Sequence, residues 1–448
     1  MNRPIRFLVL AAAFTIGPMI RAQPQANGRE MGFAVSNAQD GDFAAALSKA
    51  QAACMSVIQI SVSWSELHPD TSTWNPTVLE QLDLMNSYFS AIGLKIELQL
   101  RPTNTVVEEI PGELEGLPYD DPLVVHAMLV TLDTVFAHLT EVNIAALNIG
   151  NESDALWGTD TARYADFGNL LTAVIPHAKV LYQALHSGDT LSVGTTFTWG
   201  GLTDPIKASL CQLTEASCDH ISATYYGIHN DFTVKPPADV ITDLDLLTTM
   251  QPGTKPIRLA EIGYPTSSTC ASSEYLQSDF VQDAFAAWDQ HMDRIHYYGW
   301  FLTTDWDSAT VDTLGVYYGI TSPIFLEYLR TLGLRTWPGS GTDKQAYQTL
   351  LCELQARGFC TTTCTNGIPE QTSQKKVGLM PNPAVDLIAI TGTKLRTGDP
   401  VRFISITGQN RAVLPFAEEM DISSLPSGTY AVMMLGYPPS RLVVVKQE

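Results

Sequence analysis

Positive charge is scarce in this chain of 448 residues, which has 26 Lys and Arg against 47 Asp and Glu and a formal net charge of −21. A surface with this balance repels phosphate backbones and other polyanions, so we expect no nucleic-acid partner. Long hydrophobic runs are also lacking, because no segment after the first 22 residues is apolar over the roughly 20 residues that a spanning helix needs. The composition therefore excludes a membrane transporter.

The first 22 residues predict a secretory signal peptide. Arg3 and Arg6 precede an apolar run from Phe7 to Ile20, and Ala22 lies at the expected cleavage point before a polar, Gln-rich stretch. The alternative is an uncleaved membrane anchor, which the shortness of the apolar run disfavours. Under both interpretations the rest of the chain leaves the cytoplasm.

Seven cysteines are consistent with export into an oxidising compartment. Cys211 and Cys218 are close enough in sequence to form one bridge, and Cys54 is the candidate for an unpaired thiol. The other four are expected to staple loops and the tail, with connectivity left open: Cys270, Cys352, Cys360 and Cys364. The cysteines and histidines show no metal-ligand spacing, so we expect no metal and no cofactor.

Short apolar segments, each followed by a helical pattern, recur through the first four-fifths of the chain. Eight such units over residues 28–360 predict a (β/α)8 TIM barrel with loop insertions. A doubly wound open sheet is the alternative, but a Gly-rich phosphate loop does not follow the first strand. The predicted strands are Met31–Val35, Val57–Val62, Lys95–Leu100, Ile144–Ile149, Ser192–Thr198, His220–Thr224, Ile257–Ala260 and Tyr298–Leu302.

Two glutamates end apolar strands of this predicted barrel. Glu152 ends the fourth strand in Ile149-Gly-Asn-Glu152, and Glu261 ends the seventh in Ala260-Glu-Ile-Gly-Tyr-Pro265. A buried carboxylate without a partner is costly, so packing alone gives no reason for these residues. Active sites of TIM barrels lie at the carboxyl ends of the strands, and a pair of carboxylates is what glycosidic bond hydrolysis needs.

With these two segments the chain resembles the clan A retaining glycoside hydrolases, and among them most closely the endo-β-1,4-galactanases. The resemblance implies that Glu152 is the acid/base and Glu261 the nucleophile. It also implies that Asn151 bonds the hydroxyl beside the anomeric carbon and that Tyr226 bonds the nucleophile. Tyr225 is the alternative to Tyr226, because a shift of one residue exchanges the two faces of a strand.

Aromatic side chains near the strand ends are candidates for stacking on the apolar faces of sugar rings. The candidates are Trp64, Trp157, Trp199, Trp300 and Trp306, of which we expect two or three to touch sugar. One departure from the clan concerns the second strand, where Gln59 stands in place of an arginine beside the nucleophile. Arg101, at the end of the third strand, is the candidate for supplying that charge instead.

The last part of the chain has a different pattern. Residues 361–376 predict a linker, and residues 377–448 predict a small, β-sandwich-like module of short strands and turns. Pro381-Asn-Pro383, Leu425-Pro-Ser-Gly-Thr-Tyr430 and Lys446 resemble the C-terminal sorting domain of type IX secretion. That resemblance implies the outer-membrane secretion machinery as a partner and a secreted or cell-surface location. A carbohydrate-binding or spacer module is the alternative.

Together these features predict a secreted, monomeric retaining glycoside hydrolase that cleaves a β-linked polysaccharide or oligosaccharide by double displacement. Long loops after the third, fourth and sixth strands favour an open groove and endo-action. A neutral polysaccharide is expected ahead of an acidic one, because the chain is acidic. The resemblance to galactanases and, more distantly, to endo-β-1,3-glucanases places galactan and glucan ahead of mannan and xylan. The alternative is a surface-displayed carbohydrate-binding protein whose barrel has lost turnover.

Overall fold

A computed structural model describes residues 28–360, 364, 378–380, 384–391, 397–405, 410–434 and 443–446. The chain divides into two compact units, residues 1–365 and 366–448. The predicted signal peptide, nearly all of the predicted linker and Pro381-Asn-Pro383 lie outside the described residues. No helix of the described part is long and apolar enough to cross a membrane.

The first unit is a closed barrel of eight parallel strands, which confirms the predicted (β/α)8 fold. In sheet order, β9 pairs with β1, β1 with β2, β2 with β3, β3 with β5, and β5 to β9 follow one another. The short β4 pairs antiparallel with the end of β3. The strands are β1 Glu30–Phe33, β2 Val57–Ser63, β3 Lys95–Asn104, β4 Val107–Glu108, β5 Ile144–Asn151, β6 Val193–Thr198, β7 Ile221–Tyr226, β8 Ile257–Gly263 and β9 Ile295–Trp300.

The helices begin where the sequence places capping residues. Asn75 and Asp121 cap helices whose first residue is proline, which has no amide hydrogen to leave unsatisfied. The helices are α1 Phe43–Ala52, α2 Trp64–Leu67, α3 Pro76–Ala91, α4 Pro122–His138, α5 Ser153–Trp157, α6 Thr161–Leu185, α7 Trp199–Thr203, α8 Lys207–Thr214, α9 Asp239–Met250, α10 Glu274–Gln290, α11 Ser308–Tyr318, α12 Pro323–Arg330 and α13 Gln345–Ala356. Short 3-10 helices cover Gly112–Leu114, Glu215–Ser217 and Ser268–Cys270.

A polar cluster fills the amino-terminal half of the barrel interior. The Arg258 guanidinium contacts Glu97 at 3.1 Å and Glu30 at 3.2 Å, and its carbon lies 4.1 Å from the centre of the Tyr297 ring. These two carboxylates raise the pKa of Arg258 against the opposing effect of its burial. The cluster therefore closes the barrel below the carboxyl ends of the strands, where the candidate site lies.

Seven predicted strands agree with the structure to within a few residues at their ends, whereas the eighth is displaced. It runs from Ile295 to Trp300 rather than from Tyr298 to Leu302. Its side chains alternate: Tyr297 and Gly299 face the barrel interior beside Arg258 and Gln59, whereas Tyr298 stacks on Trp288 of α10.

The predicted role of Cys54 as the unpaired thiol is wrong, because Cys54 is bridged to Cys360 and Cys352 to Cys364. The suggested bridge between Cys211 and Cys218 is absent as well, and both thiols are buried and reduced. Burial raises the pKa of each. The bridge from Cys54 joins residues 306 positions apart, a pairing that depends on barrel closure and not on sequence spacing.

The second unit contains two antiparallel sheets around its own apolar cluster, which includes Ile388, Phe403 and Val432. One sheet has the order β10-β11-β14 and the other β13-β12-β15-β16. The Tyr430 hydroxyl donates to the Pro426 carbonyl at 2.6 Å and so closes the turn before β15. The strands are β10 Gly378–Met380, β11 Leu387–Thr391, β12 Pro400–Ser405, β13 Asn410–Pro415, β14 Met420–Asp421, β15 Gly428–Met434 and β16 Val443–Lys446.

Candidate active site

Glu152 follows β5 in a left-handed backbone conformation, with φ of 49°. Gly150, two residues earlier, also has a positive φ, and a Cβ there would approach Phe167 to 3.0 Å. A left-handed glutamate is strained by roughly 1 kcal/mol, so the surrounding contacts must hold it in place. The chain thus turns sharply on either side of Asn151 and presents Glu152 at the carboxyl end of the fourth barrel strand.

Both carboxylate oxygens of Glu152 accept hydrogen bonds from threonine hydroxyls. Thr224 donates to Oε1 at 2.6 Å and Thr105 donates to Oε2 at 2.7 Å. Thr224 is also the residue of β7 that pairs with Glu261 of β8. Glu152 therefore reaches the direct neighbour of Glu261, and the structure brings the two predicted carboxylates to one place.

Glu261 accepts a hydrogen bond of 2.5 Å from the Tyr226 hydroxyl to Oε2. Burial raises the pKa of Glu261 to about 8, and the negative charge of Glu152 acts in the same direction, whereas Tyr226 and Arg101 oppose the shift. Burial and Glu261 in turn hold the pKa of the Tyr226 phenol well above its usual value, so Tyr226 remains a hydrogen donor. The pair of carboxylates therefore binds a proton readily at neutral pH.

Neighbouring tyrosines of β7 have opposite environments. Tyr226 faces Glu261, whereas Tyr225 is buried on the outer side of the strand, where its hydroxyl donates to Asp243 at 2.9 Å. Adjacent residues of a strand point to opposite faces of the sheet, so only one of the two tyrosines can face the site. The structure thus places Tyr226 in the site and Tyr225 in the packing between barrel and helices.

The charge beside the nucleophile comes from β3 rather than β2. Arg101 forms an ion pair with Glu109 at 3.3 Å and lowers the pKa of Glu261. Gln59 lies deeper in the barrel and donates to the Ala260 carbonyl. The position where clan members carry an arginine is therefore occupied here by a neutral residue that binds backbone.

Asn151 is buried beside Glu152. Its amide nitrogen donates to Asn104 Oδ1 at 3.0 Å, whereas its own Oδ1 has no hydrogen-bond partner among the described residues. An unsatisfied buried carbonyl costs about 1–3 kcal/mol. A hydroxyl donor from a ligand would satisfy it.

Three of the five candidate tryptophans are packed in the core. Trp64 is fully buried and donates to Thr131 at 2.8 Å. Trp157 packs against four aromatic rings and lines a cavity with Leu156, and Trp300 turns outward from the barrel onto Phe280. The register of strand and helix directs the side chains of Trp64 and Trp300 into the packing, and the substrate contacts of all three stay predictions.

Trp199 and Trp306 keep partly exposed side chains. The Trp199 indole donates to the Asp243 carbonyl at 2.9 Å, and Lys235 Nζ lies 4.2 Å from the ring centre. Trp306 packs edge-on against Phe301. Of the five candidates, these two keep side-chain surface available to a ligand.

Several site residues were missed by the sequence reasoning. Phe301 packs edge-on against Tyr226 and comes directly after β9, two residues past the inward-facing Gly299. Tyr318 and Tyr328 lie in the excursion after β9, and the charges of Glu152 and Glu261 contribute to raising the pKa of both phenols, after burial. The sequence gives no local signal for these tyrosines, because their position depends on how the excursion folds back.

No protein-family model matches the chain, and no curated protein sequence does. Solved structures do match. An exo-beta-1,4-mannosidase, Op5Man5, from Opitutaceae bacterium strain TAV5 aligns with a TM-score of 0.56 at 14% identity, over 77% of this chain and 62% of that one. This chain therefore spans less than two thirds of that mannosidase.

Two further similar structures are GH5_18 proteins. One, from Bifidobacterium longum subsp. longum ATCC 55813 in complex with Manβ1-4GlcNAc, has a TM-score of 0.56 at 16% identity and covers 73% of this chain and 79% of that one. The other, from Streptomyces cattleya in complex with GlcNAc, has a TM-score of 0.54 at 15% identity, over 73% and 80%. At these identities the similarity establishes a common fold, the (β/α)8 barrel.

Proposed function

We propose that this chain is a retaining β-glycoside hydrolase with Glu152 as acid/base and Glu261 as nucleophile. The observation that carries the proposal is the convergence of both carboxylates on Thr224, which donates to Glu152 and pairs with Glu261 across the sheet. Such proximity suits a retaining pair, in which the carboxyl groups lie about 5–5.5 Å apart. The similarity of the barrel to glycoside hydrolase structures supports the same class.

In the first step Glu261 attacks the anomeric carbon, and Glu152 gives its proton to the departing glycosidic oxygen. In the second step Glu152 takes a proton from water, which displaces Glu261 and releases the sugar with retained configuration. Thr105 and Thr224 hold the Glu152 carboxylate through both changes of protonation, since hydroxyls accept or donate. The mechanism requires a protonated Glu152 and an ionised Glu261 when the substrate binds.

We infer a neutral β-linked sugar as the substrate. The acidic protein disfavours polyanionic glycans, and the open Oδ1 of Asn151 offers an acceptor for a ring hydroxyl. Two of the similar structures are a β-1,4-mannosidase and a complex with Manβ1-4GlcNAc, which adds β-mannosides to the galactans and glucans expected from the motifs. These three classes define the substrates to test.

The test is a panel of aryl β-mannoside, β-galactoside and β-glucoside with the corresponding β-linked oligosaccharides. Hydrolysis of at least one should give the β-anomer first, detected by proton NMR before mutarotation. An α-anomer as the first product would contradict retention. Binding without turnover across the panel would favour the alternative of a carbohydrate-binding barrel.

We further propose that the C-terminal unit directs export through the outer-membrane secretion machinery. The motifs named above support this, and within the described residues Lys446 lies 3.4 Å from Asp386 of the same unit. A chain truncated before Pro381 should keep barrel activity but remain in the periplasm of a host with type IX secretion. Normal release of the truncated chain would contradict the sorting role and favour a binding or spacer module.

A further inference from the structure

A long segment follows β9, and its two ends lie side by side. Asp305 N donates to the Arg335 carbonyl at 2.9 Å, and Thr304 bridges to Arg335 as a short parallel pair. The buried Lys344 ammonium fixes this base through a contact of 2.7 Å with Asp305. We call residues 305–334, which contain α11 and α12, the roof segment.

The far end of the roof segment is tied to the opposite part of the barrel mouth. The Tyr317 hydroxyl accepts from Asn104 Nδ2 at 2.9 Å and donates to Glu109 Oε1 at 3.1 Å, and both partners follow or end β3. In the sheet, β1 and β2 lie between β9 and β3. The roof segment therefore spans the mouth from the eighth barrel strand to the third.

Two more side chains of the roof segment reach the hydrogen-bond partners of the catalytic glutamates. Tyr318 is hydrogen-bonded to Thr105, which donates to Glu152. Tyr328 is buried and packs edge-on against Tyr226, which donates to Glu261. Through Tyr318 and Tyr328 the roof segment is thus part of the wall of the site.

An opening lies along the chain segments that follow Thr105 and Glu152. A cavity of about 460 Å³ begins at Val106, one residue after Thr105, and includes Leu156, four residues after Glu152. Val106 is 38% exposed, and the ion pair of Glu108 with Arg163 supplies polar groups to the same wall. Since Glu152 protonates the leaving oxygen, the leaving part of the substrate must lie on its side of the site.

We propose that the roof segment closes the glycone side, so that the protein removes a single sugar from the non-reducing end of a β-linked chain. The rest of the substrate lies along the cavity at Val106 and Leu156. This inference rests on the proposed hydrolase function. A closed glycone side differs from the open groove that the loops after the third, fourth and sixth strands favoured, because the segment after β9 covers the barrel mouth.

The test compares two hexasaccharides of the linkage that the panel identifies, both labelled at the reducing end. In one, the non-reducing sugar is free, and in the other it carries a 4,6-O-benzylidene group. The full chain should release monosaccharide first from the free substrate and should cleave the blocked substrate at least 100-fold more slowly. Comparable rates, or early internal fragments, would overturn the inference while leaving the hydrolase function intact. Absence of hydrolysis across the whole panel, aryl glycosides included, would overturn the hydrolase function and the inference with it.

A variant tests whether the roof segment is held by Tyr317. Tyr317→Phe keeps the ring but loses the hydroxyl that bonds Asn104 and Glu109, so cleavage of the blocked substrate relative to the free one should rise about five-fold or more. Tyr275→Phe is the control, because Tyr275 is exposed on α10. An unchanged ratio in Tyr317→Phe, with α11 amides exchanging hydrogen as slowly as in the unmodified chain, would contradict the closure by this contact.

Discussion

Replacing Tyr226 by Phe isolates the hydrogen bond that holds Glu261 in its ionised form. The hydroxyl lies 2.5 Å from Oε2 and lowers the pKa of Glu261 against burial and the charge of Glu152, which together raise it to about 8. A hydrogen bond to a charged acceptor contributes about 1.5–3 kcal/mol, which corresponds to roughly 1–2 pH units. Removing the donor should therefore raise the pKa of Glu261 further.

The sign of the effect on activity follows from the role of Glu261. Attack requires the ionised carboxylate, so kcat/KM falls as the pH drops below the pKa of this group. In Tyr226→Phe that acid limb should move to higher pH by about 1–2 units, on the same conversion. The assay is the pH dependence of kcat/KM with the best aryl glycoside of the panel, measured over the range in which the protein stays folded.

The chain supplies a matched control in the preceding residue. Tyr225→Phe removes a hydroxyl from the same strand, but that hydroxyl bonds Asp243 behind the barrel wall. Its acid limb should stay where it is in the unmodified protein. The reasoning fails if the limb of Tyr226→Phe does not move, moves to lower pH, or moves no more than that of Tyr225→Phe.

Three further predictions concern the glutamates. With an activated aryl glycoside, Glu152→Ala should accumulate a glycosyl-enzyme, and added azide should release it as the β-glycosyl azide. Glu261→Ala should instead give the α-glycosyl azide. The products are identified by NMR, and the opposite pair of products would reverse the two roles. Glu261→Gln should raise the free energy of unfolding at pH 7 by about 1–3 kcal/mol, measured by urea denaturation. The folded protein binds a proton at Glu261 more tightly than the unfolded chain does, so the unmodified protein loses stability as the pH rises from about 4.5 to about 8. Equal stability of Glu261→Gln at pH 7 would argue against that shift. Glu152→Gly should be more stable than Glu152→Ala by about 1 kcal/mol, since φ is 49° there, whereas Ala155→Gly within α5 should show the opposite sign.

The sequence predicted the barrel and the meeting of the two glutamates for a physical reason. Buried parallel strands are recognised in a sequence as short apolar runs. Eight such runs with intervening helices are compatible with few architectures other than the barrel. A carboxylate at the end of such a run faces the common carboxyl edge, so Glu152 and Glu261 could be placed without knowledge of any loop. The choice between Tyr225 and Tyr226 needed the register, which the sequence alone left open.

The residues that line the rest of the site were less predictable. Trp64 and Trp300 are of the residue type that stacks on sugar rings, yet their positions in strand and helix direct both side chains into the core. Tyr318 reaches the site only because the segment after β9 folds back on itself and crosses to β3. Such long-range contacts carry no periodic signal, which is also why the partner of Cys54 was missed.

Backbone strain in the described residues is concentrated on the side of the barrel that carries the site. Of six non-glycine residues with positive φ, five lie at the carboxyl ends of strands or in the loops that follow them: Thr105, Glu152, Phe232, Ala271 and Leu302. The sixth, Cys54, precedes β2 and is fixed by a disulfide. Each such residue costs on the order of 1 kcal/mol and persists only where other contacts determine the chain path. The barrel and its interior ion cluster supply that stability, so the strained segments can hold Glu152 and its threonine donors in a geometry that local sequence preference would not choose.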